Sequence, residues 1–273
     1  MSYAALMVHV DATPGSGRRT RLAADLAARF QSALIGIAGR AYLPGLSADR
    51  SAAGAKQNDS ERAMMMKLLA DIEKKFRAAT AEVGQVEWRG IFDYPNKLVP
   101  LEARAADLLI VGRRERPGDL YFALDPGMML LQAGRPVLVV PDNLDSLAAR
   151  RVVVAWKDTR ESRRAIRDAL PFLQGAKEVM IVEVSEQGTD AQGKRRIDDV
   201  ADYLIRHKVV VAAKTRLHTK RRVADELLRF ARNEKADLVV AGGYGHVRLS
   251  EWIFGGVTRD LLAESPICCL FAH

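Results

Sequence analysis

Hydrophobic residues along the chain fall into short unbroken runs, separated by longer stretches in which they recur every third or fourth position. In the first half the runs are Leu6–Asp11, Ala33–Ala38, Val86–Phe92, Asp107–Val111 and Pro136–Val140. Runs this short, apolar on successive residues, predict strands covered on both faces. The stretches between them, Arg18–Phe30, Asp59–Glu82 and Asn96–Arg104, predict helices. Leu22, Leu26 and Phe30 fall on one stripe of the first. The second half reads the same way. Its predicted strands are Arg151–Trp156, Glu178–Val184, Val209–His218, Asp237–Ala241 and Pro266–Phe271, and its helices Thr159–Leu173, Gln192–His207 and Arg221–Asn233. A last helix is expected before the fifth strand of each half. Strands alternating with helices imply a mainly parallel, doubly wound sheet.

The two halves are copies. Ala106-Asp107-Leu108-Leu109-Ile110-Val111-Gly112 matches Ala236-Asp237-Leu238-Val239-Val240-Ala241-Gly242 at a spacing of 130 positions, and Arg135-Pro136-Val137 matches Ser265-Pro266-Ile267 at the same spacing. The 273 residues suit two α/β domains of five strands each, over residues 1–142 and 150–273, with the polar segment Pro141–Arg150 as linker.

Composition narrows the classes. No apolar run approaches the roughly 20 residues of a membrane helix. The first residues read as a strand, not a signal peptide. A net charge of +8 invites a nucleic-acid hypothesis. The basic residues, however, alternate with acidic ones along helices, as in Arg160-Glu161-Ser162-Arg163-Arg164, so a solvated surface explains them better. Cys268 and Cys269 are adjacent and would point to opposite faces of a strand, which excludes a mutual disulfide and fits a reducing cytoplasm. The five histidines are dispersed, and no metal-ligand spacing, P-loop, nucleophile elbow or complete dinucleotide fingerprint is present.

The chemistry concentrates after the fourth strand of the second half. There Gly242-Gly243-Tyr244-Gly245 is followed by a loop with His246 and Arg248, and Gly255-Gly256-Val257-Thr258 open the last helix. In open α/β sheets ligands bind beyond the carboxyl ends of the strands. Glycines there let backbone N–H groups approach a phosphate, and a helix N-terminus adds free donors and partial positive charge. Arg248 can meet a phosphate oxygen and Thr258 can contribute a hydroxyl. In the first half the same positions read Gly112-Arg113-Arg114-Glu115 and Asp125-Pro126, which bring side chains, negative charge and a missing N–H donor. Arg113-Arg114 reads as a solvated loop or, less simply, as another anion site.

Gly242, Gly245 and Gly255, at a spacing of glycine, two residues, glycine, nine residues, glycine, resemble the universal stress protein family in its tandem two-domain form. The resemblance implies two adenine nucleotide α-hydrolase-like domains and an ATP site in the second half, ATP being bound with or without Mg²⁺. It also implies that the two halves pair through their final strands, as single-domain members do when they dimerise. Two positions depart from the family pattern. Gly256 replaces a Ser or Thr, and the acidic residue expected after the first strand is Lys157, with Asp158 next. Either Asp158 contacts the nucleoside or Lys157 reaches the phosphates. Thr159, Val184, Gly243 and Val257 complete the expected site, Val184 as a wall for a flat base. In the first half Asp11 keeps the acidic position, but the phosphate cradle is lost.

No acid–base pair or nucleophile stands out, so the leading reading is an ATP-binding stress-response protein that works as a nucleotide-dependent switch towards a protein partner. Slow ATP hydrolysis is compatible with it. The competing readings are a nucleotide-independent interaction module of the same fold and an ATPase or phosphotransferase. A further homodimer of the chain is compatible with the same reading.

Overall fold

The computed structural model describes residues 2–41, 52–113, 123–185, 191–244 and 256–273. The first half runs β1 (Ala5–His9), α1 (Pro14–Phe30), β2 (Ala33–Gly39), α2 (Ala52–Ala79), β3 (Val86–Ile91), α3 (Pro95–Glu102), β4 (Leu108–Gly112), α4 (Pro126–Gln132) and β5 (Val137–Val140). The second runs β6 (Arg151–Trp156), α5 (Arg160–Asp168), α6 (Leu170–Gly175), β7 (Glu178–Ser185), α7 (Ala191–Arg206), β8 (Val211–His218), α8 (Val223–Asn233), β9 (Leu238–Gly242), α9 (Gly256–Glu264) and β10 (Cys268–Ala272).

All ten strands join one sheet in the order β3-β2-β1-β4-β5-β10-β9-β6-β7-β8. Pairing is parallel within each half. The halves meet at the only antiparallel pair among the described strands, β5 with β10, where Leu138 lies opposite Leu270 and Val137 opposite Phe271. The final strands therefore do pair, inside one chain.

Because side chains alternate along a strand, the sheet buries two layers, and each runs through both halves. Leu6, Val8, Leu138, Cys268 and Leu270 belong to one layer. Met7, Val137, Val139, Cys269 and Phe271 belong to the other. The two cysteines are thus free, buried and on opposite faces. Beside the central pair, Phe30 packs edge-on to both Tyr3 and Phe172, each at 5.1 Å between ring centres. The Tyr3 hydroxyl donates to the Asp168 carbonyl at 2.6 Å, and Arg29 Nη1 to the Ala148 carbonyl at 2.8 Å. The seam between the halves is therefore apolar at its centre and tied by hydrogen bonds at its margin.

Several element ends shift by a few residues from the sequence expectation, as where α1 starts at Pro14 instead of Arg18, and three differences are larger or have a visible cause. The helix expected over Thr159–Leu173 is two helices, α5 and α6, broken at Ala169. Pro171 has no N–H to donate to the preceding turn and restarts the helix at its own first turn. The strand expected from Val209 starts at Val211, because Lys208 takes a left-handed φ of 63° and ends α7. Helix α2 begins earlier than expected, at Ala52, and ends at Ala79.

Candidate functional site

Strand order reverses between β6 and β9, since their outgoing connections leave on opposite sides of the sheet. A cavity of about 230 Å³ opens there at the carboxyl ends of the strands. Its apolar walls are Val182 and Val184 from β7, Val223 and Leu227 from α8, and Leu261 from α9. Lys157, Thr159 and Ser162 line it from the β6–α5 side, and Gly242, Tyr244, Gly256, Val257 and Thr258 from the β9–α9 side.

The start of α5 is locally determined. Thr159 is extended and accepts from the Ser162 N–H at 3.3 Å, the reach of an N-cap serine or threonine. The helix is then pressed onto β9. A Cβ on Gly242 would lie 2.6 Å from the Ser162 nitrogen and 2.8 Å from the Glu161 carbonyl carbon. Gly242 is required by this close approach of backbone to backbone, independently of any ligand. Gly256, by contrast, is exposed with open space where a Cβ would be.

Tyr244 takes a left-handed φ of 51°, uncommon for a bulky residue. Its N–H donates to Thr258 Oγ at 3.2 Å, so the buried threonine hydroxyl ties the end of β9 to the first turn of α9. That hydroxyl already serves the backbone as an acceptor, a use the sequence did not suggest. The Tyr244 ring reaches the first half beside Gly127, and burial, followed by the nearby Asp125 carboxylate, pushes its hydroxyl up to about 12.

Of the residues expected to form the site, Lys157, Thr159, Val184, Gly242, Gly256, Val257 and Thr258 line one cavity. Two do not join them. Asp158 points its carboxylate at Arg163 Nη1, 2.6 Å away, and lines a different cavity, so Lys157 alone of the two alternatives faces this crevice. Gly243 is buried against Leu130, donating its N–H to the Ala272 carbonyl at 2.8 Å. Gly245, His246, Arg248 and Gly255 lie outside the described residues. Trp156, Ser162, Tyr244, Val223, Leu227 and Leu261 line the cavity and were not expected. Val223 and Leu227 are one helical turn apart on a strongly amphipathic helix, a pattern that marks a buried face but not what it faces.

The equivalent crevice of the first half is filled from within. The buried Arg19 guanidinium lies directly over Gly112, donating from Nε to the His9 carbonyl and from Nη2 to Asp11 Oδ2, both at 2.9 Å. Burial would raise the Asp11 carboxyl, but Arg19, His9 and the hydrogen bonds of Thr13 outweigh it and hold it at about 2. At the start of α4, Asp125 Oδ1 accepts from the Gly127 N–H at 2.8 Å and the Met128 N–H at 3.3 Å. An internal carboxylate thus takes the donors that an anion would use. Arg113 is not a simple solvated loop residue: its Nη1 donates to the Ser265 carbonyl of the second half at 3.1 Å. Arg114 and Glu115 lie outside the described residues.

No group of three or more His, Cys, Asp or Glu residues suited to a metal ion occurs among the described residues. Among the same residues, no helix is long and apolar enough to cross a membrane.

A doubly wound α/β sheet with an open crevice at its strand-order reversal is a ligand-binding architecture of the mononucleotide type in form. Residues 148–273 match the model of the universal stress protein family, and this half of the chain belongs to that family. The first half repeats its strand order. A universal stress protein from Archaeoglobus fulgidus DSM 4304 has the same fold, with a TM-score of 0.68 at 17% identity over 97% of this chain and 94% of that one. A functionally unknown protein from Pseudomonas aeruginosa PAO1 superposes with a TM-score of 0.55 at 14% identity, covering 98% of this chain and 91% of that one. No curated protein sequence matches this chain.

Proposed function

We propose that the second half binds one adenine nucleotide, with ATP as the ligand, and that occupancy switches the chain between states with different affinity for a protein partner in a cytoplasmic stress response. The observation carrying this reading is the convergence of an apolar slot with an uncovered helix start. Val182, Val184, Val223, Leu227 and Leu261 offer a flat base an apolar fit, while Gly256 and Val257 present the first backbone of α9 at the same opening. The cavity is smaller than the roughly 300–1,000 Å³ of typical ligand pockets. It suits the nucleoside end, with the phosphates extending past Gly256. Lys157 supplies positive charge there in place of an acidic contact to the sugar. Mg²⁺, where it accompanies the phosphates, would be held by them more than by the described side chains.

Occupancy would act through Tyr244. It lines the cavity, is tied to α9 by Thr258, and reaches the first half at Gly127. A ligand that favours one position of this segment shifts the packing between halves by its differential affinity for the two states.

Calorimetric titration of ATP into the nucleotide-stripped chain tests the site. One ATP per chain is expected, with binding at least about tenfold weaker in Gly256→Glu, which puts a carboxylate in open space at the helix start. No heat, together with no displacement of a fluorescent ATP analogue, would overturn the reading and leave a nucleotide-independent interaction module. Equal binding by the variant would place the nucleotide elsewhere.

A further inference from the structure

A second cavity of about 480 Å³ opens on the other side of β6, between α5 and α7. Its α5 wall is Arg163, Ile166 and Arg167, and its α7 wall Arg196, Asp199, Val200 and Tyr203. Each set is spaced by three or four residues, so two helical stripes face each other across a gap instead of interlocking. In the first half the corresponding helices, α1 and α2, pack directly together.

The matched strand registers put a different residue at the same point of each half. Leu6 pairs with Leu34 and Leu108, as Val152 pairs with Val179 and Leu238. Gly36 of β2 therefore corresponds to Ile181 of β7. In the first half the Phe76 ring settles where a Cβ on Gly36 would stand, 2.6 Å from its nearest atom, and draws α2 onto the sheet. At the matching position the second half carries a buried isoleucine, Ile181, in place of glycine.

The space left behind has an apolar floor and a charged mouth. Ile166, Val200 and Trp156 are buried, and Tyr203 is half-buried. Asp158 and Arg163 pair at 2.6 Å. Glu183, beside the cavity, pairs with Arg216 at 2.6 Å and lies 3.9 Å from Arg196. Of the cations, Arg163, Arg167, Arg196 and Arg216 outnumber Asp158, Asp199 and Glu183 by one, and Arg167 makes no ion pair among the described residues. Trp156 lines both this cavity and the crevice at β9, and its buried indole N–H has no hydrogen-bond partner among the described residues. Buried donors are almost always satisfied, so this orphan on the shared wall leaves room for an acceptor from either cavity.

We propose that the cavity between α5 and α7 is a second binding site, for a small planar aromatic molecule carrying one anionic group. Its ring lies on Ile166, Val200 and Trp156, and its anion meets Arg167 at the mouth. Its volume is that of a small-molecule site with few polar anchors. Trp156 is shared with the crevice at β9, so its emission responds to a ligand in either cavity, and Arg167→Glu and Gly256→Glu tell the two apart.

The test uses the full chain with Trp88→Phe and Trp252→Phe, which leaves Trp156 as the only tryptophan of three. The probes are 8-anilinonaphthalene-1-sulfonate and its uncharged counterpart, N-phenyl-1-naphthylamine. Expected are one sulfonate probe per chain with energy transfer from Trp156, and binding of the neutral probe weaker by about tenfold, the scale of one charge-assisted contact. Arg167→Glu, at an exposed position, should weaken the sulfonate probe by about tenfold and the neutral probe hardly at all. Val200→Phe, which fills the floor, should weaken both, and Gly256→Glu neither. Equal binding of the two probes, indifference to Arg167→Glu, or loss of the probe in Gly256→Glu would overturn the proposal. The last result would assign the probe to the nucleotide crevice instead.

Discussion

At the scale of single residues, the first half spends charged side chains on what the second half leaves open. His9 is buried, and its Nδ1 lies 3.4 Å from Asp11 Oδ2. Burial, with Arg19 acting in the same direction against the attraction of Asp11, lowers the His9 imidazole to about 4. The unfolded chain protonates this histidine near its ordinary value of about 6.5, whereas the folded chain resists until about pH 4. Between those values the unfolded state holds more protons, so stability falls as the pH drops and levels off once both states are protonated. The loss attributable to His9 is on the order of 3 kcal/mol. Urea titrations between pH 7 and pH 4 should show it, and His9→Gln should flatten that part of the profile. An unchanged slope in the variant would mean that other groups carry the acid sensitivity. Asp11, held at about 2, adds stability that is present above the usual carboxylate range of about 4 and is lost only as the pH falls through its folded value.

At the scale of elements, the contact of α5 with β9 builds the candidate site. Gly242→Ala forces a Cβ against the Glu161–Ser162 backbone and should destabilise the chain by about 1–3 kcal/mol in denaturant unfolding. Gly256→Ala meets nothing and should stay within about 0.5 kcal/mol. The reverse ranking would show that α5 does not seat on β9 as described. The glycine motif was therefore legible in the sequence as a cluster, but its members do different work. Gly242 admits a helix, a Cβ on Gly243 would meet only ordinary contacts, and Gly256 leaves a helix start open. Nothing in residue identity separates these roles, because each depends on what approaches from another element. The strands were legible because doubly buried runs need no partner to be recognised. The break at Ala169 was written in Pro171, although the apolar spacing continued through it. Asp158 looked interchangeable with Lys157 until Arg163, one turn into α5, turned it away. Arg19 over Gly112 carried no local signal, since its partners come from two segments far apart in the chain, the end of β1 and the end of β4.

At the scale of the whole molecule, both buried layers cross from one half to the other through β5 and β10. Phe172, fully buried, sits on that seam against Phe30 of the other half. The chain should therefore unfold in one transition, with far-ultraviolet circular dichroism and tryptophan emission coinciding across a urea titration. Two separated transitions would mean that the halves are autonomous and the seam weak. The 130-residue repeat made the duplication legible. The continuous sheet was visible only through the family resemblance, because β5 and β10 are ordinary apolar strands whose sequence does not name a partner.

The antiparallel joint between β5 and β10 also bears on how such a chain changes over generations. In a pair of identical subunits, every substitution is made twice, and a side chain that plugs one crevice plugs both. Here the two sides of the joint are written separately in one gene. Arg19 and Asp125 could close one crevice while the other kept Gly256 bare, and the shared strands held the halves together throughout. Covalent linkage thus releases the two crevices from inheriting the same fate.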